Sequence, residues 1–283
     1  MTDKETPASS NSDETTQAQT TTEALEWHAP VLVRIDEHTT IPHLLKERVQ
    51  RGATRPLILR KIGIGDTWRS ITARDFYDEV HALAAGLIAR GLEPGDRVAI
   101  MSRTRYEWTL LDFACWAAGL VPVPIYETSS IDQVAHVLVD ADVHLIITET
   151  VSMAEIVRAA AERENRDNTH VLSLDSEAIE TLIAEGSATP RERVLARSEA
   201  LTKDDIATIV YTSGTTGTPK GTVLSHENFT NLCLNAHAWM PEIAAGKNSR
   251  LLLFLPLAHV FARFLQVFQI SGNGVLGHAP NIK

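Results

Sequence analysis

Eleven consecutive residues, Tyr211 to Gly221, gather the side-chain types that handle phosphate, reading Y-T-S-G-T-T-G-T-P-K-G. Thr212, Ser213, Thr215, Thr216 and Thr218 bring rotatable hydroxyl donors. Gly214 and Gly217 let the backbone turn its N–H groups toward an anion, and Lys220 brings the charge. Lys220 is the only lysine or arginine between Lys203 and Lys247, which marks it as placed for a purpose. The order of residues excludes the Walker loop, because Pro219 precedes the lysine and Gly221 follows it. β-Branched runs on both sides, Ile206 to Tyr211 and Thr222 to Leu224, predict a strand-to-strand turn. A ligand-free hairpin rich in glycine and hydroxyls would share this composition, but so many specified positions in a row favour a phosphate loop.

A second stretch with chemical potential is Leu255 to Phe264, L-P-L-A-H-V-F-A-R-F. It sets His259 and Arg263 among apolar residues just after a predicted buried strand, Arg250 to Leu255, where parallel sheets build ligand clefts. Spacing alone favours a hydrogen-bonded core histidine.

The elements that must carry these stretches alternate. The segment 1–26 is acidic, rich in Ser and Thr, and too poor in apolar residues to offset the entropy of ordering it, so a disordered tail is expected. Entry strands are predicted over Glu26 to Arg34, Pro56 to Arg60 and Thr67 to Ile71. A helix capped by Thr72 with Asp75 follows and ends at Gly91. From Arg97 strands at 98–101, 121–126, 143–148 and 170–174 interleave with helices at 106–118, 131–141 and 152–164, which is a βαβ series and predicts an α/β fold with a largely parallel sheet covered by helices. Trp108, Leu111, Cys115 and Ala118 form one helix stripe, read as core. Two charged helices, 177–184 and 191–200, look like a solvated excursion before the sheet resumes at Ile206. A helix capped by Ser225 should turn Phe229, Leu232, Cys233, Ala236 and Met240 inward.

Composition narrows the classes. Lys and Arg total 26 against 36 Asp and Glu, a net charge of −10, and residues 1–26 contribute six acids and one lysine, half of that excess. The remainder is too mildly acidic for a nucleic-acid partner. Cys115 and Cys233 lack metal-ligand company and read as core thiols of a reducing compartment, and no metal site is expected within the chain. The N-terminus has no basic and apolar signal segment. The longest apolar region, 251–265, is broken by Pro256, His259 and Arg263, so no membrane span is predicted. A cytoplasmic location is expected, with peripheral contact at the inner membrane face left open.

The string Y-T-S-G-T-T-G-T-P-K-G resembles the signature of the adenylate-forming (AMP-binding) superfamily, and P-L-x-H at this distance after it resembles that family's next motif. Together with V-P-V-P-I-Y-E-T-S-S-I-D-Q-V-A-H-V at 121–137, the L-P-L-A-H-V-F run looks most like the long-chain fatty acyl-CoA synthetase branch. The resemblance implies that residues 27–283 are part of an AMP-binding domain. It further implies that Thr212 to Thr218, Lys220 and Gly221 hold the β- and γ-phosphates of ATP, and that His259, with Val260, Phe261 and Phe264, lines the acyl site. Lys220 and His259 are the implied catalytic residues. ATP, Mg2+, a fatty acid and coenzyme A are the implied reactants and cofactors. One departure is Ala262, where many long-chain relatives have an acid, which leaves open the ion pair of Arg263. Later family motifs for adenine, ribose, magnesium and the catalytic lysine are not found before Lys283, so an N-terminal fragment of a longer ligase is expected, partnered by the rest of the same enzyme. The alternatives are an adenylating enzyme that passes its acyl group to a carrier protein, and a non-catalytic nucleotide-binding fragment.

Overall fold

The computed structural model describes residues 30–62, 67–166, 168–212, 219–244, 246 and 249–279. The expected disordered tail lies outside these residues. So does the core of the phosphate loop, Ser213, Gly214, Thr215, Thr216, Gly217 and Thr218.

The chain runs through α1 (Ile41–Gly52), β1 (Pro56–Lys61), β2 (Trp68–Thr72), α2 (Ala73–Ala89), β3 (Arg97–Met101), α3 (Tyr106–Ala117), β4 (Val121–Ile125), α4 (Ile131–Asp140), β5 (Leu145–Thr148), α5 (Val151–Arg163) and β6 (His170–Ser173). It continues with α6 (Ala178–Glu185), α7 (Arg191–Ala200), β7 (Ile206–Thr212), β8 (Lys220–Ser225), α8 (His226–Trp239), α9 (Pro241–Ala244), β9 (Arg250–Leu253), α10 (Val260–Ser271) and β10 (Val275–His278). The βαβ series builds an all-parallel sheet in the order β4-β3-β5-β6, with Val98 opposite both Pro122 and Leu145. A second sheet, β2-β1-β10-β9, is parallel except for the β1–β2 hairpin. Capping boxes start α2 at Thr72 and α4 at Ser130, as the sequence predicts.

Several expectations are corrected. Residues 30–36 form no strand, and the first element is α1, whose Thr40 cap and apolar Ile41, Leu44, Leu45 and Val49 were legible but not read as a helix. The β9 strand is not a buried final strand. It lies outermost in its sheet among the described residues with Leu252 exposed, and α10 and β10 follow it. On α8, Phe229 and Cys233 are buried as expected, but Leu232 and Met240 are exposed. The two charged helices are no mere excursion. Ile179, Leu182 and Val194 are buried, and a Cβ at Gly86 of α2 would overlap the Leu182 carbonyl of α6.

The parallel sheet also does not resume at Ile206. The β7 strand pairs with β8 as an antiparallel hairpin, with Tyr211 opposite Gly221 and Thr212 opposite Lys220. The reason lies in β4, whose Pro122 and Pro124 have no N–H to offer a further strand on that side. In place of a ladder, Thr208 Oγ1 donates to the Pro122 carbonyl at 2.7 Å and Trp116 Nε1 to the Ala207 carbonyl at 2.7 Å.

Every residue of α3 is buried, including Asp112. Its carboxylate takes two N–H groups of Arg263, at 2.7 and 3.2 Å, and the Gln266 amide at 2.7 Å. Arg263 also reaches Thr208 and lies 5.5 Å from the Trp116 ring centroid. This identifies the partner that Ala262 left open: the acid comes from α3, and Ala262 is itself buried. Breaking such a pair leaves a buried charge uncompensated and costs roughly 3–5 kcal/mol. Arg263→Met should therefore lower unfolding stability by about that much in urea titrations, and Asp112→Leu added to Arg263→Met should restore part of it.

Two buried histidines predict acid sensitivity. Burial depresses the His226 pKa from 6.5 to about 4 and the His278 pKa from 6.5 to about 4. His226 Nδ1 accepts the Ile41 N–H at the start of α1, a role that protonation would end. The unfolded chain takes up these protons first, so stability is full above about pH 6.5 and is lost as pH falls toward 4. Urea midpoints should drop across that window, and His226→Gln should flatten the slope.

Trp68 and Leu252 flank Gly277 on one face of the second sheet, and both are exposed. An apolar sheet face beside an outer strand favours association. Light scattering of the 283-residue chain should show concentration-dependent self-association, reduced by Leu252→Lys.

Candidate active site

The phosphate hairpin opens where Thr212 and Lys220 pair across the ends of β7 and β8. Lys220 is exposed and has no hydrogen-bond or ion-pair partner among the described residues, so its ammonium is free to meet an anion. Gly221 is required by contact: a Cβ there would lie 2.9 Å from Ile209 Cγ2 and 3.2 Å from Tyr211 Cζ.

The second candidate group sits at the start of α10. His259 is its N-cap, with Nδ1 accepting the Phe261 N–H at 3.2 Å, and it is exposed. A core histidine is therefore ruled out. Val260 and Phe261 are exposed beside it, while Phe264 is half-buried and stacks on Phe261 at 6.2 Å. The turn that presents His259 is fastened from another element. Thr104, in the loop after β3, donates to the Leu255 carbonyl at 2.6 Å and accepts the Leu257 N–H at 3.1 Å.

Thr104 also lines a cleft of about 590 Å3 between the C-terminal ends of β3 and β5 and the strands β1, β2 and β10. Arg60, Arg69, Arg103 and Arg105 line it together with Glu107 and Glu149. Arg103 reaches Glu149 at 2.6 Å, Arg105 reaches Glu107 at 2.6 Å, and Arg60 also pairs with Glu107. Burial raises both carboxyls, but hydrogen bonds and charge from these arginines outweigh it and hold them below the usual range. Thr104, Asp112 and this ion-pair cluster are functional candidates that only the structure brings out. The available signal was S-R-T-R at 102–105, directly after a parallel strand. The hairpin, the His259 turn and the cleft all lie at loops that follow strands, and among the described residues no cluster of three or more His, Cys, Asp or Glu side chains could hold a metal.

Comparison with known proteins agrees with this arrangement. Residues 45–278 match the family model described as AMP-binding enzyme. Long-chain-fatty-acid-CoA ligase FadD15 of Mycobacterium tuberculosis is 36% identical over 260 residues, covering 91% of this chain and 43% of the relative. Long-chain-fatty-acid-CoA ligase ACSBG2 of Rattus norvegicus is 30% identical, covering 87% of this chain and 39% of its own length. The chain thus spans less than half the length of these relatives. Among solved structures, Mycobacterium tuberculosis fatty acyl CoA synthetase superposes with a TM-score of 0.71 at 25% identity, over 88% of this chain and 46% of that one. ATP-bound MatB from Rhodopseudomonas palustris, at 22% identity and a TM-score of 0.69, shares the fold. With a parallel sheet, a β7–β8 hairpin that ends at Thr212 and Lys220, and a family match over residues 45–278, this chain belongs to the AMP-binding enzyme family.

Proposed function

We propose that the chain carries the phosphate-binding and acyl-side portion of an ATP-dependent fatty acid:CoA ligase. The observation that carries this reading is the pairing of Thr212 with Lys220 at the mouth of the hairpin, in a chain 36% identical to a long-chain-fatty-acid-CoA ligase. In the proposed first step a carboxylate oxygen of the fatty acid attacks the α-phosphorus of ATP. A C–O–P anhydride bond forms, the bond between the α- and β-phosphates breaks, and pyrophosphate leaves. In the second step the CoA thiol adds to the acyl carbon, its proton passes to solvent, and AMP departs as the thioester forms.

No nucleophile is asked of the protein. Lys220 places a point charge beside the departing pyrophosphate, and the hydroxyls from Thr212 to Thr218 donate to its oxygens, which is electrostatic positioning. Mg2+ is proposed only as the ion that travels with ATP and offsets its phosphate charge. Exposed His259, Val260 and Phe261 form the acyl side of the site in this reading, with Thr104 holding their turn. The cell location proposed is cytoplasmic, since the described residues contain no helix long and apolar enough to cross a membrane and both cysteines are free, buried thiols.

ATP–pyrophosphate exchange by the full-length gene product, dependent on palmitate, tests the reading. Lys220→Ala should remove roughly 2–4 kcal/mol of transition-state stabilisation, a fall of about 30- to 1,000-fold in exchange, and an unchanged rate would remove Lys220 from the mechanism. His259→Ala should lower fatty-acid-dependent turnover while ATP affinity and the melting temperature stay near wild type, because the ring is exposed. Exchange that requires a fatty acid but yields no acyl-CoA would direct the second step to another acceptor.

A further inference from the structure

A two-stranded hairpin is marginally stable by itself, yet the proposed chemistry needs Lys220 at a fixed place. We propose that α4 is the mount of the phosphate hairpin and that His136 is a positioning residue for Lys220. The inference rests on the phosphoryl-transfer reading of the loop. His136 and Asp140 are one turn apart and share a face of α4. Asp140 Oδ2 accepts from Tyr211 Oη at 2.6 Å, on the β7 side of the loop. His136 Nε2 lies 2.7 Å from the Pro219 carbonyl oxygen, on the β8 side. A carbonyl only accepts, so Nε2 carries the proton and donates. The two grips are joined, because the His136 ring stands edge-on to the Tyr211 ring, 5.8 Å between centroids at 87°.

The consequence for Lys220 follows from peptide geometry. The Pro219 carbonyl and the Lys220 N–H belong to one planar peptide, so holding the oxygen fixes the N–H in the opposite direction and the bond from which the lysine side chain departs. Proline has no N–H of its own and a locked φ, which makes its carbonyl the single backbone handle at that position. On the other strand, the Tyr211 ring lies against Gly221, directly after the lysine, in space that any larger residue would contest. Burial and then the Asp140 carboxylate push the Tyr211 phenol pKa up, so it remains a donor to Asp140 at neutral pH. One helix face thus holds the hairpin on both of its strands, through Tyr211 on one and Pro219 on the other.

Two variants separate this role from plain stability. His136→Phe keeps an aromatic ring against Tyr211 and deletes the donor, whereas His136→Gln returns an N–H donor at similar reach. In the full-length gene product, His136→Phe should lower ATP–pyrophosphate exchange by about 10- to 100-fold through a higher KM for pyrophosphate, with the fatty acid KM and the melting temperature unchanged, and His136→Gln should recover most of it. Wild-type exchange in His136→Phe, an equal loss in both variants, or a loss matched by a fall in melting temperature would overturn the proposal. Absence of exchange in the wild type would instead defeat the functional reading. The mount is then decided in the 283-residue chain by hydrogen exchange. There, His136→Phe should speed exchange of the β7 and β8 stem amides about tenfold with β3 and β5 unaffected, and equal protection in variant and wild type would overturn it.

Discussion

The interaction on which the rest depends is the fully buried pair of Asp112 and Arg263. It is the centre of a polar chain that crosses the molecule. His278 of β10 donates to Thr109, Thr109 donates to Gln266, Gln266 and Arg263 donate to Asp112, Arg263 reaches Thr208, and Thr208 donates to the Pro122 carbonyl of β4. Each link is buried, and the carboxylate of Asp112 is met from two sides. Five elements, α3, α10, β4, β7 and β10, drawn from both larger sheets, the hairpin and the helices, are therefore joined by one network, in an interior where an unmet charge would cost several kcal/mol, roughly 3–5 for a pair broken on one side. The bonds run in fixed directions between named atoms, so the network ties α10 to α3 at Asp112 and to β7 at Thr208.

That arrangement is what gives the candidate site its geometry. Arg263 is one turn beyond His259, so anchoring the arginine on α3 fixes the start of α10 and the turn before it. Thr104 then ties the turn to the loop after β3. On the opposite side of the network Thr208 holds β7, and with it the stem of the phosphate hairpin. The prolines of β4 are part of the same design. By removing N–H donors from the edge of the parallel sheet they keep β7 from continuing its ladder, and leave β7 to pair with β8 while it packs against β4 through Thr208.

The ion-paired cleft beside Thr104 illustrates a different balance. Its two buried carboxylates are each paired with arginines at the C-terminal ends of β3 and β5, Glu149 with Arg103 and Glu107 with Arg105 and Arg60, so the loops on either side are tied together while cationic side chains remain in excess along the lining. The site as a whole is therefore built from loops, but every loop is held by a group from another element: Thr104 by the turn before α10, Arg103 by Glu149, Tyr211 by Asp140 and Pro219 by His136.

By itself the sequence determined whatever local rules control. Alternating strand and helix periods dictated the parallel sheet, Thr72 and Ser130 announced the helices they cap, and the β-branched runs on either side of a glycine- and hydroxyl-rich stretch announced the β7–β8 hairpin, because such preferences are the same in any setting. Only the tertiary structure decided which residues from distant positions meet. Nothing local connects Asp112 to Arg263, 151 positions away, or His136 to Pro219, 83 away. Nor could local pattern say that Leu232 and Leu252 would stay exposed while Arg48 and Arg263 are buried, since hydrophobic periodicity reports an average face and not the partner that covers it. The chemistry was legible because it belongs to side chains. Its geometry was not, because position is set by long-range contacts whose energy exists only once the chain has closed on itself.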